Sequence, residues 1–88
     1  MAFSTILWDL ADDPNGNVAH CAEHGVSQDE IEDVLANPTD TGVSRKSGRP
    51  IAFGNTQTGR HLLVVYEEVD ADTIYPITAF DVPPRVAS

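Results

Sequence analysis

The basic residues of this 88-residue chain are concentrated in one segment and are of a type that binds phosphate or carboxylate groups. Four of the five lie within sixteen positions: Arg45, Lys46, Arg49 and Arg60. The guanidinium group of arginine can give two parallel charge-assisted hydrogen bonds to such an anion. The alternative is that these are solvated hairpin residues, which discourage edge-to-edge pairing of strands. The clustering predicts a local site for an anion or for an acidic partner.

The rest of the chain is acidic, with a net charge of −9. Residues 1–40 carry nine Asp and Glu and no Lys or Arg, and no Asp or Glu lies between Asp40 and Glu67. A negative global field repels nucleic acid at long range. Binding of RNA would therefore depend on the local basic segment alone.

The histidines suggest three roles that the residues alone leave open. His20, Glu23 and His24 match the His-x-x-Glu-His pattern of inverted zinc peptidases. Such sites need a third ligand on another helix and a substrate cleft, for which 88 residues leave little room. Alternatively, His24 stabilises a helix end, or one histidine transfers protons. We expect no metal and no cofactor.

Two other candidate motifs are weak. Gly54–Gly59 superficially resembles a phosphate-binding loop, but it lacks the Lys-Ser/Thr ending and joins two predicted strands. Cys21, the only cysteine, falls on the apolar face of a predicted helix and is expected in the core. A lone cysteine fits a reducing compartment, so a cytoplasmic setting is expected. The longest apolar run, Leu62–Tyr66, is too short to span a membrane.

Two short helices are predicted in the first half of the chain. The first covers Val18–His24, followed by Gly25. The second begins at a capping box, in which the Ser27 hydroxyl accepts from the Glu30 N–H while the Glu30 carboxylate reaches back. It ends before Pro38.

From Asp40 onward the hydrophobic period changes from helical to two, which is typical of strands. The predicted strands lie in Phe3–Leu10, Thr41–Lys46, Pro50–Asn55, Arg60–Val69 and Thr73–Val82. Pro76 cannot donate to a strand ladder, so the last strand is an edge or has a bulge there. The expected fold class is α+β: two N-terminal helices on an antiparallel meander, with the N-terminal strand added. It forms one domain, residues 1–88, whose tail, 83–88, is frayed.

Four segments occur in a characteristic order: Ile6–Asp9, His24–Ser27 with Glu30 following, Gly59–Val65 and Ile77–Ala79. Together they resemble the BrnT family of type II toxins, in the RelE/ParE-like superfamily of small ribonucleases. The resemblance covers nearly the whole chain except the tail. It implies a RelE-like fold, with helices packed on a curved antiparallel sheet, and a small DNA-binding antitoxin as partner.

The resemblance also implies a chemistry. These ribonucleases use no metal; a 2′-hydroxyl attacks the neighbouring phosphate, with the help of a base, an acid and cations. By position, Arg60 would bind phosphate, Glu68 would be the base, and Tyr66 or His61 the acid. The RNA- or anion-binding residues would be Arg45, Lys46 and Arg49.

The chain departs from the family pattern at three places. Thr78-Ala79-Phe80 stands where relatives commonly have Ser-Ala-Arg, so an arginine that would help stabilise the transition state is absent. Glu23 replaces a basic residue, and Pro83-Pro84 replaces a C-terminal helix. Loss of one charge-stabilising donor typically costs about 10²–10³ in rate.

Two functions are therefore considered, of which the first is the prediction and the second the alternative. The first is a toxin-like, metal-independent ribonuclease with an antitoxin as partner and RNA as substrate. The second is a non-catalytic interaction module of the same fold, whose basic hairpin docks an acidic protein or a second copy of the chain.

Overall fold

Two helices and a five-stranded sheet make up the fold in the computed structural model, which describes residues 5–83. The elements in chain order are β1 (Thr5–Ile6), α1 (Asn17–Glu23), α2 (Gln28–Ala36), β2 (Asp40–Val43), β3 (Pro50–Asn55), β4 (His61–Glu68) and β5 (Thr73–Asp81). The α+β class is confirmed. The predicted frayed tail lies outside the described residues, apart from Pro83. No helix within residues 5–83 is long and apolar enough to cross a membrane.

The sheet is mixed, which corrects the prediction of an antiparallel sheet. Its strand order is β1-β5-β4-β3-β2, and β2 to β5 form the expected antiparallel meander. β1, however, pairs parallel to β5, with Thr5 opposite Thr73. The Thr5 N–H donates to Asp72 O at 3.0 Å and the Leu7 N–H to Ile74 O at 2.9 Å. The first and last strands of the chain therefore lie side by side and run in the same direction.

β5 contains the bulge that Pro76 predicted. Val65 lies opposite Thr78 and Tyr66 lies opposite Pro76, so Ile77 is an extra residue on β5. Because proline has no N–H to donate, a bulge beside it removes the need for a ladder hydrogen bond there.

The two faces of the sheet differ in what covers them. Side chains of one set, which we call the helix face, are buried beneath α1 and α2: Ala52, Gly54, Leu62, Val64, Tyr66, Pro76 and Ala79. Both helices pack on this side. The opposite set, the open face, has half-buried or exposed side chains: Ile51, Phe53, Leu63, Val65, Thr78 and Phe80.

Local rules account for the start of α2. The predicted capping box is present: the Ser27 hydroxyl accepts from the Glu30 N–H, and the Glu30 carboxylate accepts from the Ser27 N–H at 3.0 Å. Gly25 follows α1 with a φ of 75°, a left-handed conformation that favours glycine.

Two predicted strands are shorter in the structure. β2 ends at Val43 rather than Lys46, because the Gly48 N–H donates to Ser44 O at 2.8 Å and closes a hairpin loop. Among the described residues, β1 covers Thr5 and Ile6, and the residues after it turn toward the helices. There Trp8 Nε1 donates to Glu32 Oε2 at 2.9 Å.

Candidate functional site

Arg60, the predicted phosphate-binding residue, is bound within the protein. Its Nε and Nη2 donate to the two Asp81 carboxylate oxygens at 3.0 and 2.9 Å. Its Nη1 lies 2.8 and 2.9 Å from the two Glu30 oxygens and 2.8 Å from Gly25 O. One guanidinium thus connects the start of β4 with the end of β5 and the start of α2. A phosphate could bind it only by displacing these carboxylates.

The pKa shifts in this cluster agree with that geometry. Hydrogen bonds to Asp81 and then to Glu30 raise the pKa of Arg60. The bond from Arg60 lowers the pKa of Asp81. Burial acts to raise the pKa of Glu30, but the Ser27 N–H and the Arg60 guanidinium together hold it below its ordinary value. One cation therefore faces two ionised carboxylates, and the cluster repels a further anion.

The predicted catalytic residues do not come together around Arg60. Glu68 is eight residues further along the same strand, which corresponds to about 27 Å at the rise of an antiparallel strand. Tyr66, six residues along, is about 20 Å away by the same measure. His61 is adjacent in sequence, but its side chain lies on the open face, stacked on Phe53 at a centroid distance of 6.3 Å. Arg60 reaches toward the helices instead.

Tyr66 and Glu68 are predicted catalytic residues two positions apart on one face of β4. Tyr66 is only 5% exposed, and burial, followed by the negative charge of Glu68, raises its pKa. Its phenol is therefore protonated at neutral pH. Because it lies beneath the helices, the phenol is also shielded from a substrate as large as RNA.

The remaining basic residues lie at the opposite end of the sheet, in the loop that joins β2 to β3. We call this loop, residues 44–49, the basic hairpin. The Ser44 N–H donates to Arg49 O at 2.8 Å, and the hydroxyls of Ser44 and Ser47 accept further backbone bonds. Arg45 and Lys46 are exposed at its tip and form no ion pair within residues 5–83.

Arg49, the third basic residue of this hairpin, has a partner. Its Nε lies 3.3 Å from Glu67 Oε1, with the two side chains 45% and 56% exposed. An ion pair this open to solvent typically contributes about 0–1 kcal/mol. The Arg49 guanidinium can therefore exchange its partner for another carboxylate at little cost.

Asn17 forms a polar cluster that the sequence did not reveal. It is 3% exposed, and its Nδ2 donates to Leu7 O at 3.0 Å and to Pro76 O at 2.9 Å. Its Oδ1 accepts the Asp9 N–H, and its own N–H donates to the Asp9 carboxylate, both at 2.9 Å. The cluster fastens the chain after β1 to α1 and β5. The segment reads only as turn chemistry in sequence, because its partners are distant along the chain.

The Asp9 carboxylate in this cluster also accepts the Tyr75 hydroxyl at 2.5 Å. That bond, and then the one from Asn17, lowers the pKa of Asp9. The same bond raises the pKa of Tyr75 to about 12. Both groups are held in the protonation state that keeps the hydrogen bond, which is a structural arrangement rather than a poised acid or base.

His20 and His24 contact one another on the exposed side of α1, with ring centroids 5.4 Å apart. Among residues 5–83, no three His, Cys, Asp or Glu side chains are grouped so that they could hold a metal ion. Cys21 is buried, and burial raises the pKa of its thiol to about 11.

Comparison of the chain with family models, with curated proteins and with solved structures finds no match. The resemblance to BrnT toxins therefore stays a prediction. Function has to be argued from the geometry of this molecule.

Proposed function

We propose that the protein is a non-catalytic interaction module whose basic hairpin docks an acidic partner. The observation that carries this proposal is the contrast between its cations. The Arg60 guanidinium forms ion pairs with two carboxylates of the protein, whereas Arg45 and Lys46 are exposed without an ion pair in the described part of the chain. Among residues 5–83, the cations free to meet another molecule are therefore gathered on one loop.

A protein partner fits this loop better than a nucleic acid does. Affinity for nucleic acid grows with the number of phosphates neutralised, and two or three cations neutralise few. In a chain of net charge −9 they also act against a repulsive field. Two or three cations on an ordered hairpin are enough, however, to orient a carboxylate-bearing protein surface and to speed its association.

The ribonuclease hypothesis has less support. That chemistry needs a base, an acid and a cation around one phosphate. Here Arg60 and Glu68 lie at opposite ends of β4, and Tyr66 is buried. A RelE-like identity, a cognate antitoxin and RNA as substrate remain proposals that rest on the resemblance. A cytoplasmic setting remains a proposal that rests on the lone cysteine.

The proposal is tested with a glutamate decapeptide as the acidic probe, followed by amide NMR shifts of the full chain. We expect shifts confined to the basic hairpin and its neighbours. The double variant Arg45→Gln/Lys46→Gln should weaken binding about tenfold, equivalent to about 1.4 kcal/mol. The control Asn15→Asp/Gln57→Glu makes the same change of net charge at two other exposed positions and should bind like the parent.

Equal weakening by both double variants would mean that net charge, rather than the hairpin, governs binding. A ribonuclease assay provides the second check. Purified protein should leave single-stranded RNA intact. RNA cleavage that Glu68→Ala abolishes, while the fold stays intact by circular dichroism, would contradict the proposal and restore the toxin hypothesis.

A further inference from the structure

The open face of the sheet is an apolar surface three strands wide. Ile51, Val65 and Thr78 lie directly opposite one another in one row across β3, β4 and β5. The next row contains Phe53, Leu63 and Phe80. Phe80 is 38% exposed, with its ring centroid 6.3 Å from that of His24 at the end of α1, and the other five are half-buried. Both helices pack on the opposite side of the sheet.

Polar rows border this apolar surface at both ends. Toward the basic hairpin, Glu67 binds Arg49 and lies opposite Tyr75. At the other end, Asn55 lies opposite His61. An apolar centre with a polar rim is the usual anatomy of a protein–protein interface.

The size of the face suits a small dimer. Three strands spaced by about 4.8 Å and up to eight residues long, with the polar border rows included, give a footprint on the order of 400 Å². A standard interface buries roughly 800 Å² on each partner. Contacts from the loops at the sheet end would supply the remainder.

Those loops carry opposite charges. The last two residues of β4 and the turn that follows, residues 67–72, which we call the acidic turn, expose four carboxylates: Glu67, Glu68, Asp70 and Asp72. Strand direction places the acidic turn and the basic hairpin at the same end of the sheet, because β2 and β4 run the same way. In the strand order the two loops are two strand positions apart, or about 10 Å.

This arrangement is self-complementary about one particular axis. Let two copies face each other through their open faces, with a two-fold axis parallel to the strands and passing between β3 and β4. The rotation brings the same end of both sheets together and reverses the order of the strands across the second sheet. Each basic hairpin then lies over the acidic turn of the other copy, and the contact occurs twice. Aligned packing of two sheets at about −30° is the ordinary geometry for such faces.

We infer that the acidic partner of the basic hairpin is a second copy of this chain, docked open face to open face about that axis. The inference rests on the proposed function and specifies the partner of the same site. The apolar rows exclude water at the centre. The charged loops favour this register, because it places each basic hairpin over an acidic turn of the other copy.

Sedimentation equilibrium of the full chain over a wide concentration range tests the inference. We expect a reversible dimer. Val65→Lys places a charge at the centre of the open face and should weaken the dimer at least about a hundredfold. Leu10→Lys is the matched control, because Leu10 is 76% exposed in a loop away from this face. It should dimerise like the parent, and circular dichroism should show both variants folded.

Charge exchange tests the axis. Lys46→Glu and Asp72→Lys, each alone, should weaken the dimer about tenfold, because each change occurs twice in the dimer. Both changes in one chain should restore the dissociation constant to within about threefold of the parent value. A dimer that Val65→Lys dissociates but the charge variants leave unchanged would contradict the proposed orientation, and with it the inference.

The outcomes separate this inference from the proposed function. A chain that is monomeric at all concentrations but still binds the glutamate peptide through the basic hairpin overturns the inference alone. A monomer in which Val65→Lys abolishes that peptide binding shows that the open face serves a different acidic protein, which also overturns it. A monomer that does not bind the peptide overturns both.

Discussion

The two ends of the sheet hold the same kind of cation in opposite states. At the end where β4 begins, Arg60 is enclosed by Asp81 and Glu30 and connects three elements. At the end where β3 begins, Arg45 and Lys46 project from a hairpin into solvent. All three belong to one basic segment of the sequence. The arginine at the first end cross-links elements within the protein, whereas the two cations at the second end are exposed to solvent.

The difference shows that a charge cluster in sequence does not define a site in space. A hairpin sends consecutive turns to opposite ends of a sheet, so residues fifteen positions apart are separated by the length of a strand. What each cation does then depends on the carboxylates at its own end. Asp81 and Glu30 meet Arg60 at one end, whereas Arg45 and Lys46 at the other form no ion pair within residues 5–83.

The largest effect is expected where the Arg60 end packs against α2. A Cβ on Gly54 would lie 3.1 Å from Val34 Cγ1 and 3.3 Å from its Cα. Gly54→Val should therefore overpack the contact and lower the free energy of unfolding by about 1–3 kcal/mol. At Gly42, on the strand that enters the basic hairpin, a Cβ meets only Ile51 at 3.7 Å. Gly42→Val should change stability by less than about 0.5 kcal/mol.

Urea unfolding followed by circular dichroism measures both variants. An equal loss at the two glycines would mean that the two ends of the sheet are packed alike. The two ends of the sheet would then contribute equally to the free energy of unfolding through their packing.

Next in size is the loss of the Arg60 cross-link. Arg60→Ala leaves the Glu30 and Asp81 carboxylates without their cation, and we expect the Tm to fall by about 4–8 °C. Arg45→Ala removes the same charge from a residue with no ion pair in the described chain. Its Tm should stay within about 2 °C of the parent. Scanning calorimetry measures the Tm of both variants. Equal decreases in Tm would indicate that the change in net charge alone lowers stability.

The sequence predicted the elements well because their rules are local. The Ser27–Glu30 capping box, Gly25 after α1 and the bulge near Pro76 each depend on residues a few positions apart, and each is confirmed. The parallel pairing of β1 with β5 is different. Thr5 and Thr73 are far apart in the chain, and two residues of strand carry no pattern that specifies direction.

The predicted site depended on distances that no local rule supplies. Placing Arg60 near Glu68 required both side chains to turn to one location, whereas strand length separates them. That Arg60 would meet Glu30 could not be read from spacing either, since the contact joins residues thirty positions apart. The resemblance to BrnT toxins assigned roles without giving that geometry.

A smaller effect concerns pH. Internal hydrogen bonds lower the pKa values of Glu30, Asp81 and Asp9 in the folded protein. A carboxyl group with a depressed folded pKa stabilises the fold fully above its unfolded pKa of about 4, and that contribution is lost as pH falls through the folded value. Stability should be flat between about pH 5 and pH 8 and should fall below about pH 4.

Variants at the two ends of the sheet should respond differently to acid. Arg60→Ala should make the loss below pH 4 shallower, because Asp81 loses the hydrogen bond that lowers its pKa and Glu30 keeps only the bonds from Ser27. Arg45→Ala should follow the parent curve. The test is the Tm of the parent and the two variants measured as a function of pH. A curve for Arg60→Ala parallel to that of the parent would show that the Arg60 cluster does not govern acid stability.

The smallest effect is expected for the Arg49–Glu67 pair, which has the geometry of a salt bridge but the exposure of a surface contact. A double-mutant cycle with Arg49→Gln and Glu67→Gln should give a coupling below about 0.5 kcal/mol when measured at a concentration where the chain is monomeric. A coupling well above 1 kcal/mol would mean that the basic hairpin is itself fastened to the sheet. The distinction between a cross-linking end and a free end would then reduce to Arg45 and Lys46 alone.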